Sequence, residues 1–267
     1  MDWNGVLNGR ATMKRRDIQP IYANTYRRLR RRRRWLIILI LLLVAAGGIW
    51  MAHSIHLYHQ KQIAQYPVQG VAIDQDAGYV DFQKLAAKKV QFVYIHATSG
   101  STYVDDDFSD NLARSEGAND VAIGVYHVYS FSTSAAKQSQ NFIKTVGSDS
   151  GSLPIVIQVE YYGDYSRSTI DAQKQTQNLK KLVQSLSDYY GKKVIIWTTA
   201  ELYHQWGKNA VSTKNRYWQA DGSLKNPEKQ VAFVEFQPQG SMKLGNSSIN
   251  VSRSVFNGTQ KEWNKTQ

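Results

Sequence analysis

Residues 153–160 read LPIVIQVE, a largely apolar run that carries an amide at Gln158 and ends in an acid at Glu160. A run of this length and composition predicts a buried β-strand. Side chains two residues apart on a strand share a face and lie about 7 Å apart along it. Gln158 and Glu160 are therefore predicted to point into the same space at the carboxyl end of the strand.

The same pattern, a short apolar run followed by a helical stretch, occurs five times in the chain. The predicted strands of these units are residues 70–74, 91–98, 121–129, 153–160 and 192–199. The predicted helices are residues 79–89, 106–118, 133–147, 169–191 and 201–207. Three further strands, 215–221, 230–237 and 249–256, follow without helices between them. This order predicts an α/β fold, an incomplete TIM-like barrel of eight strands, with a doubly wound open sheet as the alternative.

Barrels of this kind carry their functional sites at the carboxyl ends of the strands. Asp74 ends the first predicted strand as Glu160 ends the fourth, and burial of an unpaired charge there would be costly. Amides and aromatic rings stand near the other ends, and this mixture suits a sugar chain, whose ring faces stack and whose hydroxyls need polar partners. The substrate-binding candidates are Tyr126, His127, Tyr162, Trp197, Gln219 and Gln237. For His127 and Trp197, a packed position in the core is the alternative.

The composition excludes several kinds of site. The chain has no cysteine, so disulfides, zinc–thiolate sites and thiol nucleophiles are ruled out. The sequence also has no HExxH motif, no P-loop and no GxGxxG after a strand. We therefore predict neither a metal site nor a cofactor. The histidines at positions 53, 56 and 59 are interpreted as part of a solvated segment.

The N-terminal segment accounts for most of the formal net charge of +12. Residues 1–34 contain eleven Lys and Arg residues and two acids, and an apolar run at 36–52 follows the arginines directly. A run of 17 uncharged residues is near the lower limit for a transmembrane helix. Trp35 and Trp50 lie at its two ends, where aromatic rings favour the membrane interface.

Arginines on the N-terminal flank predict that this side faces the cytoplasm. We expect a basic cytoplasmic segment at 1–34, a transmembrane helix at 35–52, a stalk at 53–68, the barrel at 69–260 and a tail at 261–267. The arginine run from Arg27 to Arg34 is interpreted as a partner for anionic lipid rather than nucleic acid. A cleaved signal peptide is the alternative, but no clean cleavage site follows the apolar run. The oligomeric state is not indicated.

Several segments between residues 69 and 260 resemble one known family in order and spacing. They are GVAIDQDAGYVDFQKL (70–85), QFVYIHATSGSTYVDDDFSDN (91–111), IGVYHVYSF (123–131), AAKQSQNFI (135–143), LPIVIQVE (153–160), RYWQAD (216–221), FQPQG (236–240) and NVSRSVFNGT (250–259). Together they resemble glycoside hydrolase family 25, the muramidase (lysozyme) family, in a divergent form. The resemblance implies a barrel of five β/α units and three further strands, which agrees with the count above.

The resemblance also implies roles for individual residues. Asp74 matches the aspartate of the family's first strand, and Glu160 matches its proton-donating glutamate. Gln158 replaces the aspartate of the family's D-x-E pair, Ser99 replaces the glutamate of A-T-E-G, and Ser252 replaces an aspartate near the end. The implied catalytic group is Glu160 with Asp74 and Gln158 in support. The implied substrate carries a 2-acetamido group that can itself attack the anomeric carbon.

Two functions of different class remain open at this point. One is a membrane-anchored muramidase, of reduced activity, that hydrolyses the β-1,4 bond between N-acetylmuramic acid and N-acetylglucosamine in peptidoglycan. The other is a barrel that binds cell-wall glycan without cleaving it and serves as a sensor or scaffold. The anchor, the absence of cysteine and the muramidase-like domain suggest a Gram-positive bacterium, with the barrel outside the cell membrane.

Overall fold

The computed structural model describes residues 23–118, 120–211 and 216–266. The chain divides into two units, residues 1–58 and residues 59–267. The first 22 residues of the predicted cytoplasmic segment therefore lie outside the described part, as does Asn215 at the start of the predicted sixth strand.

Helix α1 runs from Ala23 to Ile63 and contains the whole apolar run. Within the described residues, it is the one helix long and apolar enough to cross a bilayer. At a rise of 1.5 Å per residue, its 41 residues extend about 60 Å. The predicted stalk at 53–68 is therefore mostly helical, because the α-helix continues through its polar residues to Ile63.

The second unit is a closed barrel. Its strands are β1 (Gln69–Ile73), β2 (Phe92–Ser99), β3 (Tyr103–Val104), β4 (Ala122–Val128), β5 (Ile155–Gln158), β6 (Val194–Thr198), β7 (Tyr217–Gln219), β8 (Val231–Leu244) and β9 (Ser247–Phe256). Strands β1, β2, β4, β5, β6, β7 and β8 are parallel neighbours in that order, and β9 is antiparallel to both β8 and β1. The pairing of β1 with both β2 and β9 closes the ring. The predicted eight-strand barrel is confirmed, and the open sheet is excluded.

Further helices lie in the segments that connect the parallel strands, and one more follows the last strand. They are α2 (Phe82–Ala87), α3 (Phe108–Ser115), α4 (Ala135–Val146), α5 (Ala172–Tyr190), α6 (Ala200–Leu202), α7 (Lys208–Ala210) and α8 (Gln260–Trp263). A 3₁₀ turn at Gln75–Ala77 follows β1, and a π-helical turn at Tyr203–Gly207 joins α6 to α7. The side chains of Asp81, Ser134 and Asp171 each accept a backbone N–H and so cap α2, α4 and α5.

Alternating side chains divide the core into two layers. On β2, Val93 and Ile95 join the apolar layer under the helices, whereas Phe92 and Tyr94 fill the barrel interior. The interior is aromatic and so crowded that Gly124 is needed on β4, where a Cβ atom would lie 2.5 Å from the Tyr94 ring. The interior face of each strand leads directly to the mouth of the barrel, so the same alternation places the site residues.

The structure differs from the sequence-based expectation near the C-terminus. Strands β8 and β9 form a hairpin that reaches Leu244, seven residues past the predicted end of the seventh strand. In the first half of the chain, the short strand β3 pairs with the end of β2 and was not predicted. The expected tail is also part of the core, because Trp263 is 1% exposed and packs against Phe92, Phe233 and Phe256.

Trp263 closes the barrel interior at the end where β2 begins. We predict that Trp263→Ala lowers the free energy of unfolding by about 3–5 kcal/mol. Removal of the large buried side chain leaves a cavity, and the closed barrel of strands cannot collapse to fill it. Urea denaturation of the full chain in detergent measures this value. The control is Tyr189→Ala, since Tyr189 is 54% exposed. Equal effects of the two substitutions would show that Trp263 does not belong to the core.

Candidate active site

A large cavity opens among the carboxyl ends of the strands, and its volume is about 820 Å³. Its described lining contains four acids, Asp74, Asp76, Glu160 and Glu235. The remaining polar and aromatic lining residues are His96, Tyr126, Gln158, Trp197, Gln237, Gln239, Ser241, Asn250 and Ser252. Six of the nine residues predicted for catalysis or substrate binding line this cavity, namely Asp74, Glu160, Gln158, Tyr126, Trp197 and Gln237.

Gln158 and Glu160 both face the cavity, as their spacing predicts. Gln158 is the last residue of β5 and follows Val156 on the interior face. The chain stays extended beyond it because the Val159 N–H donates to the Trp197 carbonyl at 2.8 Å and the Thr198 hydroxyl donates to the Val159 carbonyl at 2.6 Å. Glu160 is thereby held at the wall of the cavity, two residues beyond Gln158.

Glu160 has the environment of a proton donor. Among the described residues, no side chain or backbone group donates a hydrogen bond to its carboxyl or pairs with it as a cation. The residue is accessible to solvent, but the cavity wall takes part of the water from its carboxyl group, and this burial raises the pKa of Glu160. A carboxyl group without donors and with a raised pKa holds its proton at higher pH than an ordinary glutamate.

Asp74 directly follows the last residue of β1, Ile73, and caps the 3₁₀ turn that begins at Gln75. Its carboxylate accepts the Asp76 N–H at 3.0 Å, which fixes the side chain at the cavity edge. Burial is the main cause that raises the pKa of Asp74, the nearby carboxylates of Asp76 and Asp105 add to it, and the Asp76 N–H and His96 oppose it. Asp74 is therefore an acid of the site with one anchoring hydrogen bond.

His96 forms a buried chain of hydrogen bonds beside the cavity. Its Nδ1 lies 2.9 Å from Asp105 Oδ2, and its Nε2 lies 3.0 Å from Ser99 Oγ and 3.2 Å from the Thr98 carbonyl oxygen. The imidazole ring stacks on Tyr126 with a centroid distance of 4.8 Å. Ser99, which stands where the resemblance has a glutamate, therefore holds a histidine rather than presenting a carboxylate to the cavity.

Glu235 is the site residue that the sequence-based candidates omitted. It is 4% exposed, and its carboxylate accepts hydrogen bonds from Ser252 Oγ at 2.5 Å, from Trp197 Nε1 at 3.2 Å and from the Asp221 N–H at 3.4 Å. Burial raises the pKa of Glu235 and the Glu160 charge adds to this, while the three donors oppose it. The signal for it was the alternation of AFVEFQ, which places Glu235 on the face of Phe233, inside the barrel.

Tyr126 lies between the acids. Burial raises the pKa of its hydroxyl well above the ordinary value, and the charges of Asp74, Asp105, Glu235 and Glu160 act in the same direction. The phenol therefore stays protonated at any physiological pH and has a proton to donate. Its ring also makes an edge contact with Trp197, and Trp197 stacks on Trp218 at a centroid distance of 4.3 Å.

Three predicted substrate-binding residues do not reach this cavity. His127 is fully buried on the helix side of β4, where its nitrogens lie 2.7 Å from Thr98 Oγ1 and 3.1 Å from Gln138 Oε1, and burial lowers its pKa to about 4. His127 is therefore packed in the core, which was the alternative to a substrate-binding role. Gln219 does not line the cavity, because the alternation of β7 turns Trp218 inward instead.

Tyr162 lines a second, smaller cavity of about 370 Å³. Its hydroxyl lies 3.1 Å from Ser130 Oγ and accepts the Phe131 N–H at 3.2 Å. The lining of this second cavity is rich in hydroxyl groups and without charge; it consists of Ser99, Gly100, Ser101, Thr102, Val128, Tyr129, Ser130, Ser132, Thr133 and Tyr162. Val128 borders both cavities. Across residues 23–118, 120–211 and 216–266, no group of three or more His, Asp or Glu side chains is arranged to hold a metal ion.

A closed β/α barrel with several acids in a cleft at the carboxyl ends of its strands is an arrangement that glycoside hydrolysis can use. The family model of the glycosyl hydrolases family 25 matches residues 71–243. The chain therefore belongs to glycosyl hydrolase family 25, the lysozyme or muramidase family, and the predicted resemblance is confirmed. It is a glycoside hydrolase by family.

Relatives with known sequences and structures cover most of the chain. The uncharacterized protein YegX of Escherichia coli strain K12 is 30% identical over 224 residues, which is 78% of this chain and 79% of that protein. Lysozyme M1 of Streptomyces globisporus is 24% identical over 207 residues, 72% of this chain and 68% of the lysozyme. A family 25 glycosyl hydrolase from Bacillus anthracis has a structure that matches with a TM-score of 0.67 at 28% identity, over 75% of this chain and 94% of that chain.

These comparisons do not narrow the source of the protein. The relatives come from Escherichia coli, Streptomyces and Bacillus, and structures from fungi such as Aspergillus fumigatus share the fold, with a TM-score of 0.61 at 22% identity over 74% of this chain and 98% of that chain. The expectation of a Gram-positive bacterium therefore stays a prediction.

The pKa of Glu160 leads to a prediction about stability. A carboxyl group whose pKa is higher in the folded state stabilises the fold below its unfolded pKa, and this contribution is lost as pH rises through the folded pKa. We predict that Glu160→Gln raises the free energy of unfolding at pH 7, by less than about 1 kcal/mol because water reaches the residue. The difference should vanish near pH 3.5. Urea denaturation at both pH values measures it, and a variant less stable than wild type at pH 7 would contradict the raised pKa.

Proposed function

We propose that the protein is a membrane-anchored muramidase that hydrolyses the β-1,4 bond between N-acetylmuramic acid and N-acetylglucosamine in peptidoglycan. The observation that carries the proposal is the pairing, within one cavity, of a donor-free acid at Glu160 with other carboxylates that accept hydrogen bonds. Glycoside hydrolysis needs two such different carboxyl groups, one that gives a proton and one that supports positive charge.

In this proposal Glu160 protonates the glycosidic oxygen as the bond to the anomeric carbon breaks. The carbonyl oxygen of the substrate's own 2-acetamido group then bonds to the anomeric carbon and forms a cationic ring. Water opens that ring and passes a proton to the Glu160 carboxylate, which restores the acid. The protein has to orient the acetamido group and stabilise its transient charge.

Gln158 and Asp74 are assigned the supporting roles. The Gln158 side-chain oxygen can accept a hydrogen bond from the acetamido N–H, so an amide at this position can still orient the group. It cannot supply negative charge, and loss of one electrostatic stabiliser commonly costs about 10²–10³ in rate. Reduced activity relative to a site with an aspartate at this position follows unless another carboxylate compensates. Tyr126, Trp197 and Gln237 are the proposed contacts for the sugar rings and hydroxyls.

The second candidate function is binding of wall glycan without cleavage. It is favoured by the replacement of carboxylates by Gln158 and Ser252 within the cavity. The two candidates differ in a single observable, because a scaffold would bind peptidoglycan and release no reducing ends.

We predict that the full chain in detergent releases reducing ends from purified peptidoglycan and that Glu160→Gln lowers the rate by about 10²–10⁴, since the amide cannot donate a carboxylic proton. A reducing-sugar assay measures the release. Glu116→Gln, an exposed glutamate outside the cavity, serves as the matched control. Absence of release from wild type, with retained pelleting on peptidoglycan, would favour the scaffold.

We further propose that α1 anchors the protein in the cell membrane with its arginine-rich end in the cytoplasm. The apolar side chains from Leu36 to Met51 are exposed along α1, and seven arginines lie between Arg27 and Arg34. Exposed apolar surface of this extent is stable in lipid rather than water. The same arginines suit the anionic lipid of the cytoplasmic leaflet. The barrel would then face the cell wall.

We predict that Leu41→Arg with Leu42→Arg moves the protein from the membrane fraction into the soluble fraction, because each charge at the centre of a span costs about 2.5–3.5 kcal/mol on insertion scales. Extraction with alkaline carbonate, followed by immunoblotting, measures the partition.

Protease added outside intact spheroplasts should degrade the barrel of the wild type. A barrel protected from that protease would contradict the proposed orientation.

A further inference from the structure

The carboxylate of Glu235 and the hydroxyl of Ser252 form a dyad in the wall of the main cavity. Ser252 stands where the resemblance has an aspartate, and its Oγ donates to Glu235 Oε1 at 2.5 Å from the neighbouring strand. We propose that Glu235, acting through Ser252, supplies the negative charge that the amide at position 158 and the hydroxyl at position 252 cannot supply themselves. The inference deepens the proposed muramidase function, on which it rests.

The geometry fixes what Ser252 can present to a substrate. A serine hydroxyl has one proton and two lone pairs, and here the proton is committed to the Glu235 carboxylate. Ser252 is half-buried and borders the cavity, so its lone pairs remain for a ligand. Ser252 is therefore a hydrogen-bond acceptor that is polarised by the Glu235 carboxylate, and it stands where the resemblance has an aspartate.

The hydrogen bonds of Glu235 favour its ionised form. All three of its partners are donors: a hydroxyl, an indole N–H and a backbone N–H. An ionised carboxylate only accepts, so it satisfies all three, whereas a protonated one would have to reverse its hydrogen bond with the Ser252 hydroxyl to place its own proton. Glu160 has no such donors in the described part of the chain. The two glutamates of the cavity thus differ in their hydrogen bonds: three donors support a charge on Glu235, and none in the described residues supports a charge on Glu160. This difference is the kind that separates a charge stabiliser from an acid.

The Glu235 carboxylate lies in the cavity wall behind its hydrogen-bond partners. Because Glu235 is 4% exposed, with Ser252 and Trp197 against its oxygens, we assign the carboxylate an action through its field and through these two groups. A low-dielectric surrounding makes that field stronger than it would be in water. Glu235 is therefore a positioning residue, and Ser252 is the group that meets the substrate.

A purely structural role would be that Glu235 holds Trp197 in place. The structural role and the charge role predict different values of kcat for a variant in which the carboxylate is moved from position 235 to position 252. The variants are Glu235→Gln, Ser252→Ala and the double variant Glu235→Gln with Ser252→Asp. In the double variant the charge returns to position 252, one side chain nearer to the substrate, but the acceptor for the Trp197 indole is not restored as a carboxylate.

The test measures kcat and KM for reducing-end release by the full chain in detergent. We expect Glu235→Gln to lower kcat about 10²-fold with KM changed less than about threefold, as for loss of one electrostatic stabiliser. Ser252→Ala, which removes the relay and leaves the acid, should lower kcat as well. The double variant should recover at least tenfold of the loss. An unchanged kcat in Glu235→Gln, or a loss in kcat that the double variant does not recover, would overturn the inference.

A second readout does not depend on catalysis. Calorimetry compares the affinity for a protonated imino-sugar analogue of N-acetylglucosamine with the affinity for neutral tri-N-acetylchitotriose. Wild type should prefer the cation, Glu235→Gln should lose at least tenfold of that preference, and the double variant should regain it. If wild type releases no reducing ends but shows this pattern, the proposed hydrolysis fails and the charge assignment stands. If the preference is the same in wild type and Glu235→Gln, the charge assignment is overturned.

Discussion

Closure of the barrel is the constraint on which the rest of the structure depends. Strand β1 pairs in parallel with β2 and antiparallel with β9, so the last strand returns to the first and no sheet edge is left in the ring. Once the ring is closed, alternation decides the fate of each side chain: one face packs under the helices, and the other fills the interior. The interior residues after the last aromatic layer have no apolar partners. They are the polar residues that line the cavity.

Charge inside this cavity is the chemical consequence of that alternation. Burial raises the pKa of Asp74, Glu160 and Glu235, and neighbouring carboxylates add to the rise for Asp74 and Glu235. The backbone and side-chain donors are distributed unevenly among them, with three on Glu235, one on Asp74 and none among the described residues on Glu160. Because of this unevenness, hydrogen-bond donors oppose the rise in pKa at Asp74 and Glu235, whereas none of the described residues opposes it at Glu160.

Much of this could be predicted from the sequence, because period-2 and helical patterns report local structure and the resemblance reports order. The patterns predicted eight strands, in agreement with the resemblance, and the strand alternation placed Gln158 and Glu160 on one face. The incorrect predictions concerned contacts between elements that are distant in the sequence. His127 was expected at the mouth, but its register on β4 turns it toward Gln138. Glu235 was passed over because Ser252, its partner, is a hydroxyl rather than an acid, and no local pattern shows that a donor on β9 lies against it. Trp263 was assigned to a tail because a four-residue helix gives little periodicity.

The central claim is that the site is complete with an amide at position 158, and Gln158→Asp tests it most directly. If Glu235 and Ser252 already supply the charge, restoring an acid at position 158 should change kcat/KM for peptidoglycan by less than about tenfold in the full chain in detergent. A gain of about 10²–10³, the usual worth of a missing electrostatic stabiliser, would contradict the account, as would hydrolysis that appears only in the variant. Either result would show that the present site lacks a charge that catalysis needs.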